Sequence, residues 1–146
     1  MANPNALAAL LGGGIVLAGL GLLAILIVPT VFYLLCMQKA LTLAGRENRE
    51  MEPGMVWLMF IPLFGLVWQF FIVKHVSGAV KKWAAAHNKD VADGGWAIGL
   101  TACILCCCGI IPALGLLASI GGLVCLIIWW VKVAGFNATM GNYPRA

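Results

Sequence analysis

Uncharged apolar runs alternate along this chain with short charged segments, and the lengths of the runs predict membrane helices. Residues 55–73 carry no charge, and Gln69 is their only strongly polar side chain. About 19 residues at ~1.5 Å each reach roughly 29 Å, close to the hydrocarbon thickness of a bilayer. From Lys74 onward the pattern changes: Val76, Val80 and Trp83 keep one helix face apolar while Lys74, Lys81 and Lys82 stay in water. The spacing therefore predicts one helix over about residues 54–87 that leaves the bilayer as a basic amphipathic extension.

The first apolar run, residues 6–37, exceeds the ~20 residues of one crossing. Gly12-Gly13-Gly14 reads as a break, with residues 6–11 as an interfacial or frayed start and a helix over about 15–37. Pro29 predicts a kink inside it. Between Trp96 and Phe136 only Lys132 is charged, so that run must cross, turn and return. The expected hinge is Gly109 to Gly115 around Pro112, with helices over about 96–111 and 113–136; Gly121-Gly122 is a rival hinge. Gly14, Ala18 and Gly21 in the first helix, and Gly115, Ser119 and Gly122 in the last, form small-residue faces suited to helix packing or partner contact, and Gln69 suits an interhelical hydrogen bond.

The pattern thus reads as all-α, a polytopic membrane protein with a four-helix transmembrane bundle and one domain over residues 1–146. In the first connection, Lys39, Arg46 and Arg49 balance Glu47, Glu50 and Glu52, with Gly45 as a helix stop and Pro53-Gly54 as a restart. In the second, Lys74, Lys81, Lys82 and Lys89 outweigh Asp90 and Asp93, which makes it cytoplasmic and puts both termini inside. An alternative comes from a repeat: Ile61-Pro62-Leu63-Phe64-Gly65 and Ile111-Pro112-Ala113-Leu114-Gly115 share the pattern I-P-x-x-G. If both copies turn a hairpin, the second segment is re-entrant at Pro62, and all nine Lys and Arg side chains share one side.

Composition agrees with a membrane setting: 63% of the 146 residues are hydrophobic, 10% are charged, and the mean hydropathy is +1.02. The net charge of +4 lies beside apolar segments, where anionic lipid near the basic extension accounts for it without nucleic acid. Trp57, Trp83, Trp96, Trp129 and Trp130, with Lys74, Lys81, Lys82 and Lys132, are the expected membrane-interface residues. Residues 1–5 lack Lys and Arg, which argues against a cleaved signal, and the tail from Asn137 reads as short, polar and unable to fold alone.

Cys103-x-x-Cys106-Cys107-Cys108 is the most unusual local motif. Helical spacing puts Cys103, Cys106 and Cys107 on one face, where thiolates could hold copper or zinc, and Met51, Met55 and Met59 recur at four-residue intervals. The competing reading is that cysteine fills space as a small apolar residue, since no base stands near to take the thiol protons; no cofactor is expected. His75 and His87 read as solvated. Without an intramembrane carboxylate, a catalytic Ser/His/Asp set or a phosphate-cradling loop, the chain reads as a non-enzyme.

At Arg49, Trp57, Ile61-Pro62, Trp68 and Phe70-Phe71, and again from Trp130 to Phe136, the chain resembles a widespread group of small bacterial multispan proteins of unknown function, some fused to GYF-like or zinc-ribbon modules. The resemblance implies a bacterial inner-membrane, multi-pass protein and carries over no catalytic residue. The expected function is a structural or accessory subunit that organises a membrane-protein partner. The alternatives are a small homo-oligomeric channel or transporter, and soft-metal handling by the membrane cysteines.

Overall fold

The computed structural model describes the backbone of residues 4–61, 63–111 and 115–143, and side chains from residue 12 onward. Among the described residues the chain is all-helical: α1 (Pro4–Ala44), a 3₁₀ helix (Pro53–Phe60), α2 (Phe64–Ala86), α3 (Trp96–Cys108) and α4 (Gly115–Gly141). Two compact units are present, the first ending at Tyr33 and the second beginning at Leu34.

In the first unit, helix runs through Gly12-Gly13-Gly14 without the expected break. Each helical residue satisfies its neighbours' backbone, and where no water competes for those groups glycine need not unwind them. Residues 12–28 are exposed on every side, and a Cβ built at Gly14 or Gly21 meets nothing. The small-residue face of Gly14, Ala18 and Gly21 is thus open.

The second unit contains a core. Leu34, Met37 and Leu41 of α1, Val56 of the 3₁₀ helix, Ile72, Val76 and Val80 of α2, and Trp129 and Val133 of α4 are fully or almost fully buried. α1 stops at Gly45, whose φ of +83° suits glycine, as the sequence predicts. The segment expected as one helix over 54–87 is two: Pro53–Phe60 winds as 3₁₀, and α2 begins at Phe64. Pro62 itself, and Pro112 to Leu114 of the second hinge, lie outside the described residues. From Phe64 to Ala86, however, α2 continues past Lys74 as expected, with Val76, Val80 and Trp83 buried and Lys74, Lys81 and Lys82 exposed. It ends in a Schellman motif, with Asn88 at φ +51° and the Lys89 amide donating to the Ala84 carbonyl at 2.8 Å.

Successive elements pack antiparallel. Trp68 Nε1 donates to the Met55 carbonyl at 2.8 Å, tying α2 back onto the 3₁₀ helix. A Cβ at Gly94 would lie 2.7 Å from the Ser77 carbonyl, and one at Gly99 would press on Val73 Cγ1 and Trp129, so α3 runs down α2 and α4 returns along α3. Gly122 faces the Cys106 amide and Leu105, which places Gly115 and Gly122 inside the α3–α4 hairpin of the same chain. Ser119 is exposed, although its Oγ would lie 2.5 Å from a Cβ at Gly109. Gly121-Gly122 lies within α4, so the chain reverses between Cys108 and Gly115. The tail from Asn137 continues α4 to Gly141, and Asn137 is buried with its Nδ2 donating to the Cys36 carbonyl at 2.9 Å.

The two I-P-x-x-G copies share a backbone device. A Cβ at Gly65 would collide with the Met59 carbonyl, and one at Gly115 would lie 2.7 Å from the Gly109 carbonyl. In both copies the final glycine meets the carbonyl six residues earlier. Backbone cannot yield as a side-chain end can, so Gly65→Ala and Gly115→Ala are each expected to cost about 2 kcal/mol or more. Gly135→Ala, whose Cβ meets nothing, is expected to stabilise by about 0.5–1 kcal/mol. Thermal unfolding in detergent checks the contrast.

Candidate functional site

The second unit has two unlike ends. Its first connection, residues 45–52, meets the end of α2: Lys82 Nζ pairs with Glu50 Oε1 at 2.5 Å, and within the connection Arg49 pairs with Glu52 at 3.2 Å. The Lys82 ammonium holds the Glu50 carboxyl below its ordinary range, first by hydrogen bond and then by charge. Four spanning helices would put the first connection and the second, residues 87–95, on opposite sides, whereas the Glu50–Lys82 pair sets the first connection beside the end of α2.

At this charged end a cleft of about 450 Å³ lies between residues 42–48, Trp83, His87, Met140 and Tyr143. The last turn of α1 forms one wall, where Asn48 Nδ2 caps the Ala44 carbonyl at 2.8 Å. The other wall is aromatic. Trp83 stacks on His87 at 4.5 Å, Tyr143 meets both edge-on at 5.3 Å, and Lys89 Nζ stands 5.7 Å from the Tyr143 ring centre. His87 Nδ1 donates to the Trp83 carbonyl at 2.8 Å and His75 Nδ1 to the Phe71 carbonyl at 2.7 Å, so each ring is tied to its own helix. Such a cleft offers carbonyl acceptors, a carboxylate (Glu47), a guanidinium (Arg46) and aromatic surface to a docking protein segment.

The opposite end is apolar and bare. Leu63 is 85% exposed beside the first turn, and Leu116 and Leu117 are 77% and 76% exposed after the second. Ile61, Phe64, Ile110 and Ile111 join them. A folded domain in water does not leave such a surface uncovered.

A cavity of about 320 Å³ between α2 and α3 brings Met59, Gln69, Cys103, Cys106 and Cys107 together. The sequence expectation of a shared cysteine face is met, but among the described residues no group of three or more His, Cys, Asp or Glu side chains is placed to hold a metal ion. Nor do the methionines form a regular stripe, as the restart at Pro53-Gly54 implies. Residues four apart in a 3₁₀ helix point about 120° from one another, and Met51 is buried while Met55 is exposed.

Of the expected interface residues, Trp57 and Trp96 are each 37% exposed, Trp130 is half-buried, and Lys74, Lys81, Lys82 and Lys132 are exposed. Trp57 Nε1 donates to Gln38 Oε1 at 3.0 Å. Trp83 and Trp129 are core residues instead: Trp129 is wholly buried under Gly95 and Gly99, whose missing side chains make its space. Sequence reasoning also missed Asp93. Its carboxylate accepts from the Gly95 amide at 3.0 Å and the Ala97 amide at 2.8 Å, fixing the start of α3.

Those amides, Ala97 first, hold the Asp93 carboxyl below its ordinary value. The stabilisation is therefore complete above the unfolded value, near pH 4, and fades as pH falls through the lower folded value. Asp93→Ala is expected to lose about 1 kcal/mol at neutral pH, with the difference from wild type shrinking below about pH 4; paired acid-titration melts measure it. Compared with protein-family models, curated proteins and solved structures, the chain matches none of them.

Proposed function

We propose that this chain is a non-enzymatic accessory subunit of a bacterial inner membrane. Residues 12–33 cross the bilayer, and the second unit enters it from the cytoplasmic side as two re-entrant hairpins. The charged end then faces the cytoplasm and offers its cleft to a partner protein. The observation that carries this reading is the meeting of the first charged connection with the end of α2 and His87, away from the two I-P-x-x-G turns.

Lengths support it. The 3₁₀ helix Pro53–Phe60 reaches ~16 Å at ~2.0 Å per residue, and α3, Trp96–Cys108, reaches ~20 Å at ~1.5 Å per residue. Both fall short of the ~30 Å hydrocarbon core. Charge supports it as well, since every described Lys and Arg falls in residues 39–49, 74–89 or at 132, next to a connection or an exit from the apolar half. The positive-inside rule is then met with the uncharged N-terminus outside. Unpaired backbone, the main cost of a hairpin in lipid, is limited by close turns such as the Gly65 amide donating to the Ile61 carbonyl at 2.8 Å.

In a cysteine-free background, Glu50→Cys and Asp90→Cys are both expected to react with an impermeant thiol reagent from the cytoplasmic face alone, and Leu63→Cys and Leu116→Cys from neither face. Labelling of positions 50 and 90 from opposite faces would restore four full spans. Native mass spectrometry after gentle extraction is expected to show additional chains of different mass. Their disappearance with His87→Ala would trace the contact to the cleft, whereas a lone protomer from native membrane rejects the accessory role.

A further inference from the structure

Where the apolar half of the second unit gives way to the charged half, α2 carries Lys74, Gly78 and Lys81 in a line along one face, a spacing of one turn on either side of the glycine. These residues, with Ser77, Asp93 and Trp96, line a groove of about 300 Å³ between α2 and the start of α3. Lys74 and Lys81 are exposed, and neither belongs to an ion pair among the described residues, whereas the adjacent Lys82 is spent on Glu50. A Cβ at Gly78 meets nothing, so the floor of the groove is open backbone. The back wall is tight: Gly94, at φ +62°, sits where a Cβ would lie 2.7 Å from the Ser77 carbonyl and 3.1 Å from Lys81 Cγ.

Resting on the membrane seating proposed above, we infer that this groove binds a phosphate group, held between the Lys74 and Lys81 ammonium groups over Gly78. Three observations converge on that chemistry. Two free cations reach over one bare glycine. The Ser77 hydroxyl, in a residue only 2% exposed, has no hydrogen-bond partner beside them. The one carboxylate in the groove, Asp93, is already engaged by the Gly95 and Ala97 amides, and Lys132 adds positive charge behind it. Position selects phosphate among anions. Lys74 ends the apolar run of α2 and Trp96 opens that of α3, so the groove stands at the level of the lipid headgroups. The phosphate is that of an anionic phospholipid or of a soluble phosphate compound reaching the same depth.

Full-length protein reconstituted in mixed phosphatidylcholine–phosphatidylglycerol bilayers, then released for native mass spectrometry, tests the site. Wild type is expected to retain phosphatidylglycerol in preference to phosphatidylcholine. The Lys74→Gln/Lys81→Gln pair is expected to lower that retention at least about tenfold, the loss of two charge-assisted contacts. Gly78→Leu, which fills the floor without touching the core, is expected to do the same with helix content unchanged. Lys82→Gln, on the other flank of the helix, is expected to leave retention as it is. Displacement of the lipid by millimolar inorganic phosphate would name the soluble source; resistance to it names the headgroup. Equal retention by wild type, the double variant and Gly78→Leu overturns the inference. If those variants still keep the thiol-labelling pattern predicted for positions 50, 63, 90 and 116, the seating stands and the groove alone falls.

Discussion

A chain that reverses direction in apolar surroundings has to leave no backbone amide or carbonyl without a partner, and the second unit, seated as proposed, depends on how this is done. Both reversals use the same short sequence, I-P-x-x-G, and in both the closing glycine lets a carbonyl six residues back approach where a side chain would block it. The helices that follow, α2 and α4, can then return against the segments that precede them. Because neither reversal carries a charge, the charged connections among the described residues lie elsewhere. The ion pair between Lys82 and Glu50 is a result of that routing, and at its exposure it contributes little to stability by itself.

Routing also decides where the core forms. Side chains that are nearly inaccessible, such as Leu41, Val80, Trp83 and Met140, cluster toward the charged end, while the residues around the turns lie open. This is the reverse of a domain that hides its apolar residues in its middle. It fits a body that packs against itself where water is present and leaves its surface to lipid elsewhere, since lipid solvates leucine as well as protein does. Asp93 and Asn137 serve the packed end. One fixes the start of α3, and the other joins the end of α4 to the carbonyl of Cys36.

How far this could be read from sequence depends on the kind of signal. Helical class, the amphipathic continuation past Lys74, the stop at Gly45 and the reversal before Gly115 follow from periodicity and from glycine and proline, and the structure has each of them. The break at residues 61–63 was harder to see, because residues 55–73 are uniformly apolar and such a run does not distinguish one long helix from a 3₁₀ helix turning into a second. Its only trace was the repeated I-P-x-x-G. Tryptophan misled for a physical reason. An indole suits an interface and a core alike, and the choice for Trp129 was made by the empty space at Gly95 and Gly99, distant in sequence but adjacent in the fold. The cysteines of α3 share a cavity as their spacing suggests, yet a shared cavity is not a ligand set.

The bare turns carry a mechanical consequence. A body seated as proposed, entering from one face and stopping after ~20 Å of helix, adds cross-section mainly to the monolayer it enters and little to the other. The mismatch in area between the two monolayers is relieved by bending, so that the inserted side becomes the convex one. Leu63, Leu116 and Leu117, at the tips, would set how deep the wedge goes. Membrane that is already curved in that sense would hold such a protein more tightly than flat membrane, and shape would act on its distribution alongside any partner.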